Sequence, residues 1–206
     1  MNFADFFSII RDLALTVGAI AALYGINVWK KEARWRKHSE TAEQALLTVY
    51  EFENAIREIR SPFVWKSETE GIDKNINESE KDRTIKERMH VIATRHQRHQ
   101  STFNNLRTVR QKCKVVFCNQ YDKVFEDCFS ILREIGISTN LLQNHYWVID
   151  YNDQHPLEKE ERLQHERIIW AYGEKHDPLA PRISKAVEEA EQSFRDFIEP
   201  LPAYGL

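Results

Sequence analysis

The stretch "LALTVGAIAALYGINVWKKEARWRK", residues 13–37, passes from seventeen uncharged residues, Leu13 to Trp29, directly into a dense group of cations. A helix of that length rises about 25 Å, the short end of what crosses a bilayer. Phe6, Phe7, Ile9 and Ile10 can lengthen the apolar run upstream, because Arg11 lies close enough to the end to reach the headgroups. Trp29 and Trp35, with Tyr24, supply rings suited to the membrane–water boundary, and Lys30, Lys31, Arg34, Arg36 and Lys37 follow at once. Cations stay on the cytoplasmic side, so the pattern predicts a single span with its N-terminus out and its C-terminal part in the cytoplasm. The same cluster suits anionic lipid headgroups. A cleaved export signal fits poorly, since the segment before the apolar run is net acidic through Asp5, Arg11 and Asp12.

Within the span, Ala14, Gly18 and Ala22 recur every fourth residue, and Ala21 and Gly25 mark a neighbouring ridge. Small residues at this spacing let two helices approach closely in lipid, which makes a homo-oligomer an expectation.

Beyond Trp29, neither proline nor glycine interrupts the chain until Pro62. Ala42, Ala45, Val49, Phe52, Ile56 and Ile59 alternate steps of three and four, the seam of a helix in coiled-coil-like packing. The span therefore continues as one helix to about Arg60, before Ser61-Pro62. Residues 61–79 are polar and read as a long loop, with Phe63, Val64 and Trp65 expected to fold back onto the helices. A second helix is expected from Ser79 to Cys118, and a third after a reversal at Asn119-Gln120, running through Gly136 to Ile149. A fourth covers "LEKEERLQHERIIWAY" with Gly173 as its cap, "HDPLAPR" is a turn, and a fifth runs from Ser184 to Glu199. Just six glycines and six prolines in 206 residues favour this all-α reading over a strand-rich one. The expected organisation is an external terminus and span at 1–29, a basic juxtamembrane segment and first helix at 30–60, the loop at 61–79, and the remaining helices of an antiparallel cytoplasmic bundle at 80–206.

The order of features is similar to that in a group of uncharacterised bacterial single-pass membrane proteins with a cytoplasmic helical domain. The matching stretches are "YGINVWKKE", "IREIRSPF" and "IIWAYGEKHDPLAPRI". The resemblance implies the inner (plasma) membrane as location and this architecture; it brings no activity, cofactor or binding residue.

Charge is segregated behind a formal net value of −3: residues 30–38 carry +4, and 83–114 hold nine Lys or Arg against one acid, Glu87. Arg107, Arg110 and Lys114 share a helix face and have the spacing to meet phosphates. No aromatic residues interleave for base stacking, so nucleic acid is not an expected partner; pairing with Glu158, Glu160, Glu161, Glu188 and Glu189 is the expected role. In "MHVIATRHQRHQ", His96 and His99 follow the register of Ile92 and Phe103 and are expected to face inward. Glu87-x-x-His90 has the spacing of di-iron ligands, yet such sites need two of these motifs and two further carboxylates. A metal protein or enzyme built on Glu87, His90, His96 and His99 is thus one alternative reading, a pH-responsive histidine pair a second, and a tethered nucleic-acid binder a third.

Three cysteines, Cys113, Cys118 and Cys128, form no C-x-x-C pair and suit reduced thiols in a cytoplasmic domain. No Gly-rich phosphate loop, nucleophile elbow or paired-carboxylate cleft is present in the sequence. The function expected is therefore interaction at the membrane, as scaffold, sensor or accessory subunit, with no cofactor, in the company of a protein partner or a second copy.

Overall fold

Alternating steps of three and four apolar residues bury one stripe of a helix and expose the rest, and the computed structural model carries that pattern from Thr41 onward. It describes residues 3–70, 72, 79–147, 155–171 and 177–198, without the side chains of 3–12, Asp82 and Tyr146. Among the described residues there are six α-helices and no strand: α1 Phe3–Ile59, α2 Glu80–Arg98, α3 Gln100–Phe117, α4 Asp122–Leu141, α5 Pro156–Ile169 and α6 Ala180–Ile198. A single 3-10 turn lies at Lys66–Glu68, and a π-helical turn follows α4 at Leu142–Tyr146.

The chain divides into two compact units, Met1–Glu40 and Thr41–Leu206. In the first, every residue from Leu13 to Trp29 is exposed, and this helix has the length and apolar composition to cross a membrane. The second unit has a continuous core. Its α1 seam is as expected: Ala42, Ala45, Val49, Phe52, Ile56 and Ile59 are all buried. They meet Phe103, Leu106 and Cys113 of α3, Val124, Phe125 and Cys128 of α4, and Ala186, Ala190 and Phe194 of α6. The α4 helix packs against α3, α5 and α6. A smaller cluster gathers Val91, Ile92, Leu142, Trp147, Ile169 and Trp170.

Several boundaries differ from expectation. The second helix is two, α2 and α3, parted at His99 (φ −96°, ψ 10°). At this junction Arg98 and His99 both reach one carboxylate of α1, Glu58. Gly136 is helical as read, but the α-helix ends at Leu141 and widens into the π turn. Ile149 and Gly173 lie outside the described residues. Helix α6 starts at Ala180 rather than Ser184, because the Asp177 carboxylate accepts from the Leu179 and Ala180 amides and Pro181 fits the first turn. The reversal after α3 places Cys118 at φ 58°, a backbone region that favours glycine.

Two arginines fix the end of α1, and both are buried. Helix ends leave carbonyls without partners, and here Arg95 of α2 takes them. Its Nη1 donates to Ser61 O at 2.6 Å and, longer, to Ile59 O at 3.4 Å, while Nη2 donates to Phe63 O at 2.5 Å. Its remaining donors hold Glu68, Nε to Oε1 at 2.7 Å and Nη2 to Oε2 at 2.8 Å. All five guanidinium N–H groups are thereby used. Arg60 makes the second latch, donating Nη2 to Asp177 Oδ1 at 2.5 Å and Nη1 to Oδ2 at 3.0 Å. It also donates to the carbonyls of Ile168 and Arg167 at the end of α5. Arg95 is one of the nine cations of residues 83–114, and it is buried against Glu68 rather than paired with an acid of the C-terminal third.

The Arg95 hydrogen bonds, opposed by burial, hold the Glu68 carboxyl well below its ordinary 4.5, at about 2. A carboxyl lowered on folding stabilises the fold fully above its unfolded value and loses that contribution as pH falls towards the folded one. Arg95→Ala, which leaves Glu68 buried and unpaired, is expected to cost about 3–5 kcal/mol at pH 7. The difference from wild type should shrink between about pH 4.5 and 2. Urea unfolding of the full chain in detergent at both ends of that range checks it, and a pH-independent difference would contradict the pairing.

Candidate functional site

With Ser61 and Phe63 carbonyls tied to Arg95, and the Trp65 amide donating to Glu68 Oε2 at 3.0 Å, the segment between them is held from beneath. Its side chains point the other way. Phe63 is 77% exposed, Val64 47% and Trp65 72%, so the expected fold-back onto the helices does not occur. The latch uses the backbone of this segment, and that leaves a knuckle of three large apolar groups facing outward. Aromatic side chains carried on a held backbone are what protein interfaces use as anchors, because less main-chain freedom is lost on contact.

A groove opens elsewhere on the same unit, between α2 and α3 on one wall and α4 on the other. Its apolar part, about 400 Å³, is lined by Ile59, Met89, Ile92, Ala93, Leu132, Ile135 and Gly136, with His96, Gln97, Gln100 and Thr139 around them. Leu132 is shared with an adjoining basic cleft of about 570 Å³, where Arg107, Arg110 and Arg133 surround Phe129. Cavities of this size hold small molecules. Gly136 sits in the α4 wall with nothing within 4 Å of where a Cβ would stand.

The residues singled out from sequence have separate surroundings. His96 lines the groove, its ring 5.2 Å from that of Phe103, and burial followed by the charge of His99 lowers its pKa. His99 faces Glu58, Nε2 to Oε2 at 2.8 Å, and is half-buried. His90 is exposed, and Glu87 lies 3.9 Å from Arg83. Among the described residues no three His, Cys, Asp or Glu side chains gather as a metal-ligand set. Trp29, Lys30, Lys31, Arg34, Arg36 and Lys37 are exposed and Trp35 is half-buried, with Arg36 paired to Glu32 at 3.0 Å. Ala14, Gly18 and Ala22 are exposed, with open space around Gly18.

The basic face of α3 finds its acids nearer than expected. Arg110 donates to Asp122 at 2.6 and 2.7 Å and to Glu126 at 3.1 Å, and Lys114 joins Asp122 at 3.0 Å. Arg98 pairs with Glu58. These acids lie on α4 and α1 rather than in the C-terminal third; of the five expected, Glu189 serves Lys123 and Lys185. Hydrogen bonds from Arg110 and then Lys114 hold Asp122 at about 2. Cys113 and Cys128 are pushed up to about 12 by burial, so neither offers a thiolate near neutrality. Cys118 is the exposed thiol. The buried arginines and the knuckle escaped sequence reasoning; the signal available was the pair of stretches "IREIRSPF" and "HDPLAPRI", which meet through Arg60 and Asp177.

Comparison with protein-family models, with curated proteins and with solved structures gives no match.

Glycine inside a helix costs about 1 kcal/mol relative to alanine unless close approach requires it, and no described residue comes within 4 Å of where a Cβ at Gly136 would stand. Gly136→Ala is therefore expected to raise stability by about 0.5–1 kcal/mol, measured as a higher melting temperature. A lower one would mean that the groove wall is closed against the chain itself.

Proposed function

We propose that the protein is a single-pass membrane protein, N-terminus out, whose cytoplasmic part is an antiparallel helical bundle serving as an interaction module. The membrane reading is supported by the uncharged run from Leu13 to Trp29, wholly exposed and followed by the cluster from Lys30 to Lys37. Bacterial inner membrane is the location that the resemblance to single-pass proteins favours. Anionic headgroups are the lipid partner of the cluster, and packing of Ala14, Gly18 and Ala22 is a route to a homo-oligomer.

The interaction role is carried by one observation: Phe63, Val64 and Trp65 are exposed on backbone that buried Arg95 and Glu68 immobilise. The ion pair that finishes the end of α1 also holds three apolar groups facing solvent, the arrangement a docking surface uses. A scaffold, sensor or accessory subunit would use such a knuckle against a protein partner.

The native cysteines supply a topology test. A membrane-impermeant maleimide added to intact cells is expected to leave Cys118 unmodified and to label it after permeabilisation, Cys113 and Cys128 being buried. Labelling in intact cells would reverse the orientation. For the interaction role, a photoreactive amino acid placed at Trp65 is expected to give one discrete adduct in native membranes. That adduct should vanish on Phe63→Ser with the melting temperature unchanged. No adduct, or one indifferent to Phe63, would remove the knuckle as the docking surface.

A further inference from the structure

The basic cleft and the apolar groove adjoin at Leu132, and their polarity is divided end to end. At the basic end, Arg110 is committed to Asp122 and Glu126, and Glu134 beside it on α4 is held by Arg182. Arg107 and Arg133 have no carboxylate or other polar partner among the described residues. Phe129 and Leu132 floor this end, the Phe129 ring lying 5.6 Å from the Arg110 guanidinium carbon. At the other end the wall is Met89, Ile92, Ala93, Ile135 and Gly136, and the polar groups on its rim are the neutral Gln97, Gln100 and Thr139 with His96.

An acidic amphipathic helix carries its charge as a stripe along its whole length, beside its apolar face. It would need cations along both rims of the groove, and the apolar end has none among the residues that form it. A molecule with one anionic head and a hydrocarbon tail divides its polarity lengthwise, as the groove does. From Phe129 to Thr139 the groove follows ten residues of α4, about 15 Å of helix, the reach of an acyl chain. Open space over Gly136 leaves room for that chain where any larger residue would stand in its path.

We propose that the joined groove binds a long-chain fatty acid, its carboxylate between Arg107 and Arg133 and its hydrocarbon tail over Gly136. Arginine forks suit a carboxylate bidentately, and the apolar wall covers one side of the tail against water. The inference uses a different surface from the Phe63–Trp65 knuckle and does not depend on that knuckle having a partner.

The test uses the full-length chain in native membranes and a long-chain fatty acid carrying a diazirine in its tail, with adducts mapped by peptide mass spectrometry. Adducts are expected on the α2 and α4 walls of the groove, as well as on the span from lipid at large. Gly136→Leu should reduce the groove adducts about tenfold, as should the pair Arg107→Glu with Arg133→Glu, and the methyl ester of the probe should label the groove about tenfold less; losing one charge-assisted contact is worth that much. Span labelling should stay constant throughout. Groove adducts that survive Gly136→Leu, or that form equally with the ester, overturn the proposal, and so does labelling confined to the span. Should Gly136→Leu lose its helical circular dichroism, the arginine pair decides. Groove labelling without span labelling would sustain this inference while removing the membrane anchor.

Discussion

Seventeen consecutive residues without a charge lie exposed on α1, from Leu13 to Trp29. Nine are large apolar or aromatic groups: Leu13, Leu15, Val17, Ile20, Leu23, Tyr24, Ile26, Val28 and Trp29, each between 45% and 71% exposed. Covering a side chain of this kind is worth about 1.5–3 kcal/mol, so leaving nine in water forgoes on the order of ten kcal/mol or more. A bilayer is the medium we propose for them. A partner helix on one face would cover a stripe, whereas exposure here extends around the whole circumference. The cations from Lys30 onward then find their own environment at the headgroups.

The second unit follows a different logic. Its core is conventional apolar packing, but the end of α1 is finished by charge. Arg95 and Arg60 each satisfy one carboxylate and several main-chain carbonyls, and Glu68 and Asp177 are in turn held by backbone amides. Ion pairs of this kind contribute little net stability over well-packed apolar residues, yet breaking one is expensive. Their value is in position. The Arg60 latch ties α1 to the ends of α5 and the start of α6, and the Arg95 latch dictates which way Phe63, Val64 and Trp65 face.

Periodicity made the helical core legible, because a three–four rhythm survives whatever the partner helix is. Ala42 to Ile59 were all buried where that rhythm put them, and α4 ran through Gly136 as the unchanged phase required. The latches were not legible by the same means. An arginine scores as surface in any periodic reading, and the carboxylates that bury Arg95 and Arg60 lie 27 and 117 residues away in the chain. The knuckle was misread for a related reason: three apolar residues in a row suggest burial, and only knowing that their backbone is already spent on Arg95 turns them outward. The groove is a consequence of how α2, α3 and α4 pack, which one helix at a time does not disclose.

Because the membrane-tethered role starts from the apolar run being in lipid, membrane association of the untagged full-length chain is the most direct test. After detergent-free lysis and high-speed centrifugation the protein is predicted to sediment with membranes and to resist extraction by alkaline carbonate. Deleting residues 13–29 should release it. Full-length protein remaining in the supernatant, or leaving the membranes with carbonate, would contradict the account.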